Sequence, residues 1–94
     1  MQDLSRIDDP TWRPKAAEGV ETHATEDGYI LYQSDSDRVH HLNPTAVVLL
    51  ALCTGQNSVT EMPDLLRQAF SLAAPPIEET RACLEQFVAE NLVI

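Results

Sequence analysis

The spacing of apolar and polar positions changes once along this chain, at Asn43. Before it, short runs alternate as strands do; after it, apolar residues recur at helical intervals. Gly19 to Thr25 alternates weakly, with Val20, Thr22 and Ala24 on one side and Glu21 and His23 on the other, which fits a half-exposed strand. Asp27-Gly28 reads as a tight turn. Tyr29-Ile30-Leu31-Tyr32-Gln33 is aromatic and branched, the most strand-prone stretch, and Ser34-Asp35-Ser36-Asp37 closes it with turn formers. Arg38 to Leu42 follows as a third short strand. Three strands joined by short turns predict an antiparallel meander.

The join Leu42-Asn43-Pro44-Thr45-Ala46 carries helix-start chemistry: Asn43 as N-cap, Pro44 in the first helical position, and Leu42 placed to staple against Val47. Ala46 to Cys53 is apolar all round, which predicts a helix at the centre of the core, ended by Gly55 as a left-handed cap. Ser58-Val59-Thr60-Glu61 is a capping-box candidate for a second helix. A start at Ser58 would leave Pro63 one turn inside, whereas a start at Thr60 makes it harmless. Met62, Leu65, Leu66, Ala69 and Phe70 form that helix's apolar face.

Pro75-Pro76 opens a third helix, from Ile77 to about Glu90, whose inward stripe reads Ile77, Thr80, Leu84, Phe87 and Val88. Asn91 suits a left-handed cap that returns Leu92, Val93 and Ile94 to the core. Residues 1–15, polar and containing Pro10 and Pro14, predict a loosely ordered arm, leaving 16–94 as one domain. The order β-β-β-α-α-α predicts an α+β fold, winged-helix-like, with a three-stranded antiparallel sheet followed by three helices.

Composition narrows the chemistry. At 94 residues the chain holds one modest core and no room for a cleft between lobes. Fifteen acidic against six basic residues give a formal charge of −9, which argues against a nucleic-acid surface. The acids are dispersed and read as a solvated surface. Cys53 and Cys83 stand among apolar neighbours, so they read as small packed hydrophobes in a reducing, cytoplasmic setting. No targeting pattern opens the chain and no apolar run is long enough for a membrane span. His23, His40 and His41 lack a carboxylate or thiolate cluster to complete a metal site, and adjacent strand histidines point to opposite faces. With no nucleophile pair and no glycine-rich phosphate loop, neither catalysis nor a cofactor is expected.

Gly28-Tyr29-Ile30-Leu31-Tyr32, Arg38 through Ala46, Leu52-Cys53-Thr54-Gly55, Ser58-Val59-Thr60-Glu61-Met62 and Asn91-Leu92-Val93 together resemble the PqqD family. These are peptide-binding chaperones, also called RiPP recognition elements, that serve ribosomally made and later modified peptides. The resemblance implies three strands packed on three helices, with the leader of a precursor peptide lying between the third strand and the third helix as an added antiparallel strand. It implies Arg38, Val39, His40, His41 and Leu42 as the strand edge. Ile77, Arg81, Leu84, Glu85 and Val88 share one arc of the third helix and are expected to supply the opposing wall, with Arg81 holding a leader carboxylate.

Two positions depart from the family's best-defined member. Ser34-Asp35-Ser36-Asp37 replaces its proline-glutamate-glycine turn, and Thr80 stands where an aliphatic residue is usual. Both point to a peptide pathway other than that of the quinone. The resemblance implies as partner a modifying enzyme, such as a radical S-adenosylmethionine enzyme or a lasso-type leader peptidase. Two other readings remain open at the level of sequence. One is a winged-helix DNA-binding regulator, for which the second and third helices offer only Arg67 and Arg81 among many acids. The other is a structural homodimer paired through the same edge strand.

Overall fold

The computed structural model of the chain describes residues 4–94. A 3-10 helix at Leu4–Asp8 precedes strands β1 (Val20–Thr25), β2 (Gly28–Gln33) and β3 (Arg38–Leu42), and helices α1 (Pro44–Leu52), α2 (Met62–Phe70) and α3 (Ile77–Ala89) follow. The strands form one antiparallel sheet in the order β1-β2-β3. This is the α+β arrangement the change of period predicts, and among the described residues it leaves β1 and β3 as two open edges.

Register fixes which side chains share a face. Leu31 pairs with Thr22 on one side and His40 on the other, and Gln33 pairs with Val20 and Arg38. Leu31 and Gln33 are buried, so Val20, Thr22, Arg38, His40 and Leu42 share the face toward the helices. Glu21, His23, Ile30, Tyr32, Val39 and His41 lie on the opposite face.

The core joins Leu31 of the sheet to Leu49 and Leu50 of α1, Met62 and Leu66 of α2, and Leu84, Phe87 and Val88 of α3. The starts of α1 and α2 follow from local chemistry. Asn43 is extended and its side chain accepts the Ala46 N–H at 2.8 Å, with Pro44 in the first turn. Ser58 and Glu61 do meet as in a capping box, the Ser58 hydroxyl donating to Glu61 Oε1 at 2.9 Å. The regular helix starts only at Met62, one turn later, so Pro63 falls in the first turn, where no N–H is missed. Asn91, at φ 58, takes the left-handed position after α3 and turns Leu92 and Val93 into the core.

Several local expectations change. α1 buries Ala46, Leu49 and Leu50 but leaves Ala51 exposed and Val47 half-buried, because no element among the described residues covers its flank beside β1. Ile77 is 64% exposed rather than inward. It opens α3 beside Pro63 and Pro75, at the mouth of a cleft instead of over the core. Ile94 is exposed while its backbone exchanges hydrogen bonds with Lys15 at 2.7 and 3.1 Å. Gly55 does have positive φ, 85°, but α1 already ends at Leu52. Its N–H reaches the Pro14 carbonyl at 3.0 Å, so the glycine serves a crossing of chains rather than the helix cap.

The crossing segment belongs to the stretch expected as an arm, whose first three residues lie outside the described ones. Ile7 and Pro14 are buried, the Trp12 carbonyl accepts the Val59 N–H at 2.9 Å, and Ala16 bridges Val93.

Candidate functional site

The phase of the sheet's hydrogen bonds shows what its edges offer. The Ser34 N–H donates to the Gly19 carbonyl at 3.0 Å, and from there the bonded pairs alternate through the ladders. Arg38, His40 and Leu42 therefore bond to β2, while the backbone N–H and C=O groups of Val39 and His41 face the open edge. A chain paired there in antiparallel register would send the side chains opposite Arg38, His40 and Leu42 toward the helices.

Those side chains would enter a groove of about 330 Å³ between the β3–α1 join and α3. Its near wall is His41, Leu42, Asn43 and Thr45, and its far wall is Glu79, Ala82, Cys83 and Gln86 of α3, with Phe87 at the base. Ala82 and Cys83 are small, so α3 presents a recess there between two polar residues. The cap at Asn43 fixes the angle at which β3 enters α1, and with it the width of the groove's near end. At the other end of β3, Arg38 Nη1 lies 2.9 Å from Glu90 Oε2, tying the strand to the end of α3. Gln33 Nε2 adds hydrogen bonds to the carbonyls of Glu90 and Asn91 at 3.3 and 3.4 Å. His40 Nε2, on the inner face, is buried without a hydrogen-bond partner among the described residues.

The structure brings together the strand half of the site read from sequence, but not its helical half. Successive helix residues turn by about 100°, which puts Ile77, Arg81, Leu84, Glu85 and Val88 on the side of α3 away from Glu79, Ala82, Cys83 and Gln86. Leu84 and Val88 are core. Arg81 reaches Asp8 of the 3-10 helix at 2.7 Å and Glu85 at 3.1 Å. Asp8 and then Glu85 hold its guanidinium above the ordinary arginine range. It borders a separate cleft of about 320 Å³ with Ile7, Pro63, Pro75 and Ile77. Sequence spacing defines a core stripe with two flanks and does not say which flank meets the sheet. The signal that separates them is side-chain size, since small Ala82 and Cys83 leave the recess on the flank that meets the sheet.

Both thiols are held neutral. Burial pushes Cys53 up to about 12, and burial together with the nearby Glu79 charge pushes Cys83 up to about 11. The Cys53 thiol lies 3.3 Å from the Leu49 carbonyl in the core. Among the described residues, no group of three or more His, Cys, Asp or Glu side chains could hold a metal ion. Nor is any described helix long and apolar enough to cross a membrane.

A family model described as coenzyme PQQ synthesis protein D (PqqD) matches residues 28–93, from the start of β2 to the buried Val93. The matched span contains both walls of the groove. No curated protein and no solved structure matches the chain.

Proposed function

Because the chain belongs to the PqqD family, whose members are peptide-binding partners of biosynthetic enzymes, we propose that it captures the leader of a ribosomally synthesised precursor peptide as an added strand on β3. The observation that carries this reading is the open β3 edge, with the Val39 and His41 backbones unpaired among the described residues, beside a groove floored by Phe87 and flanked by Ala82 and Cys83. Main-chain hydrogen bonds supply affinity with little regard to sequence, and alternate leader side chains entering the groove supply selectivity. An apolar leader residue suits the recess at Ala82 and Cys83. A basic one suits the end nearer Glu79.

The protein acts as a noncatalytic adaptor. It holds the leader and presents the downstream core peptide to a separate modifying enzyme, raising the effective concentration of one for the other. The neutral thiols support this division of labour, since a nucleophilic cysteine needs the opposite shift. The Ser34–Asp37 turn supports service in a pathway other than that of the quinone, beside a radical S-adenosylmethionine enzyme or a lasso-type leader peptidase. Isothermal titration with the precursor peptide encoded near the gene is the test. Binding should vanish when the leader is removed, and full binding of the isolated core peptide would overturn the proposal.

A further inference from the structure

β1 is the other open edge, and Glu21 is the one acidic side chain on it. Its sequence, Val20-Glu21-Thr22-His23-Ala24-Thr25, has no proline, lysine or bulge, and it pairs residue for residue with β2. Five of its six residues are exposed. Among the described residues, no backbone hydrogen bond from outside the sheet reaches it. The phase set by Gly19 and Ser34 turns the N–H and C=O groups of Val20, Thr22 and Ala24 outward. The side chains of Val20 and Thr22 flank a groove of about 210 Å³ along α1, lined also by Ala16, Val47, Leu50 and Ala51.

We propose that β1 is a self-association edge, pairing antiparallel with β1 of a second copy about a two-fold axis at Thr22. Parity decides the register. Antiparallel pairing of this strand with itself must match outward residues with outward residues, so the axis falls on Glu21, Thr22 or His23. An axis on Glu21 sets two glutamates opposite each other, and an axis on His23 sets two histidines opposite each other. Only the axis on Thr22 opposes Glu21 to His23 of the second copy, twice, at the closely spaced non-hydrogen-bonded positions. These two side chains already lie 3.5 Å apart within one strand, so they share the outer face and a common orientation. On the inner face the same register sets Val20 opposite Ala24 and Thr22 opposite itself, beside the apolar flank of α1 at Val47, Leu50 and Ala51.

The result is one continuous six-stranded sheet, with a β3 edge free at each end. Glu18 would face Glu26 of the second copy just beyond the paired residues, which confines the contact to Val20–Ala24. With a charge of −9 on each copy, the dimer is concentration-dependent rather than permanent.

Sedimentation equilibrium of the full chain at sub-millimolar concentrations tests this. The wild-type protein should show a monomer–dimer equilibrium. Thr22→Pro removes an outward N–H that β2 does not use, so it should abolish the dimer while far-UV circular dichroism stays unchanged. His23→Arg should tighten the dimer by roughly two- to tenfold and His23→Glu should weaken it, with the exchange Glu21→His/His23→Glu restoring it. A wild-type chain that stays monomeric at every concentration overturns the proposal. So do equal effects of His23→Arg and His23→Glu, or a dimer lost in His41→Pro and kept in Thr22→Pro, which would move the contact to β3.

Discussion

Cys83 sits on the groove wall with its thiol raised to about 11 by burial and by Glu79. A thiol titrating that high is almost wholly protonated at about pH 8, where reagents attack the thiolate. Maleimide labelling of Cys83 should therefore run far slower than that of free cysteine, and slower still once leader peptide covers it. A rate equal to free cysteine's would contradict this environment. Asn43→Ala should destabilise the chain by about 1 kcal/mol in urea unfolding, through loss of the bond to the Ala46 N–H. Glu61 carries a sign that can be worked out. The Ser58 N–H and hydroxyl donate to its carboxylate and hold its pKa below the ordinary glutamate range. A lowered folded-state pKa contributes stability above the unfolded value and loses it as pH falls through the folded one. Glu61→Gln should thus flatten the fall in stability on acidification, as read by urea melts from neutral pH downward. Residues whose role is set by their own backbone, Asn43 and Asn91, were legible from sequence because cap chemistry is local. Arg81 was not, because its partner Asp8 lies far away in sequence, in a stretch without a period.

At the scale of elements, β3 and α3 make the groove together. His41→Pro removes an N–H aimed at the open edge and leaves the β2 ladder intact, so leader affinity should fall by about tenfold or more with the fold retained. Ala82→Phe should do the same by filling the recess. Arg81→Ala, on the other side of α3, should leave leader affinity unchanged, and titration of the three variants separates the two helix faces. Strand order, turn positions and helix limits followed from period and punctuation to within a residue or two. The flank of α3 that meets the sheet did not, since it depends on how the helices stack on a twisted sheet, a property of the assembled layers. The exposure of Ile77 has the same cause: a helical stripe marks an apolar direction, and only packing decides how far along the helix the core extends.

For the whole molecule, the buried set is small enough that single truncations matter. Leu84→Ala or Leu31→Ala, each fully buried, should lower unfolding free energy by about 2–5 kcal/mol in urea titrations. Charge acts at this scale too, and a chain at −9 should retain no duplex DNA in a low-salt filter assay, in contrast to a winged-helix regulator. The two proposed contacts use different edges, β3 beside the groove of α3 and β1 beside the flank of α1, so peptide capture and self-pairing would not compete for one surface. The central claim concerns β3, and it is tested most directly by amide hydrogen exchange on the protein with and without its precursor's leader peptide. Strand addition predicts that the Val39 and His41 amides, open in the free protein, become strongly protected when leader is bound. Leader binding that leaves both amides exchanging as before would contradict the account.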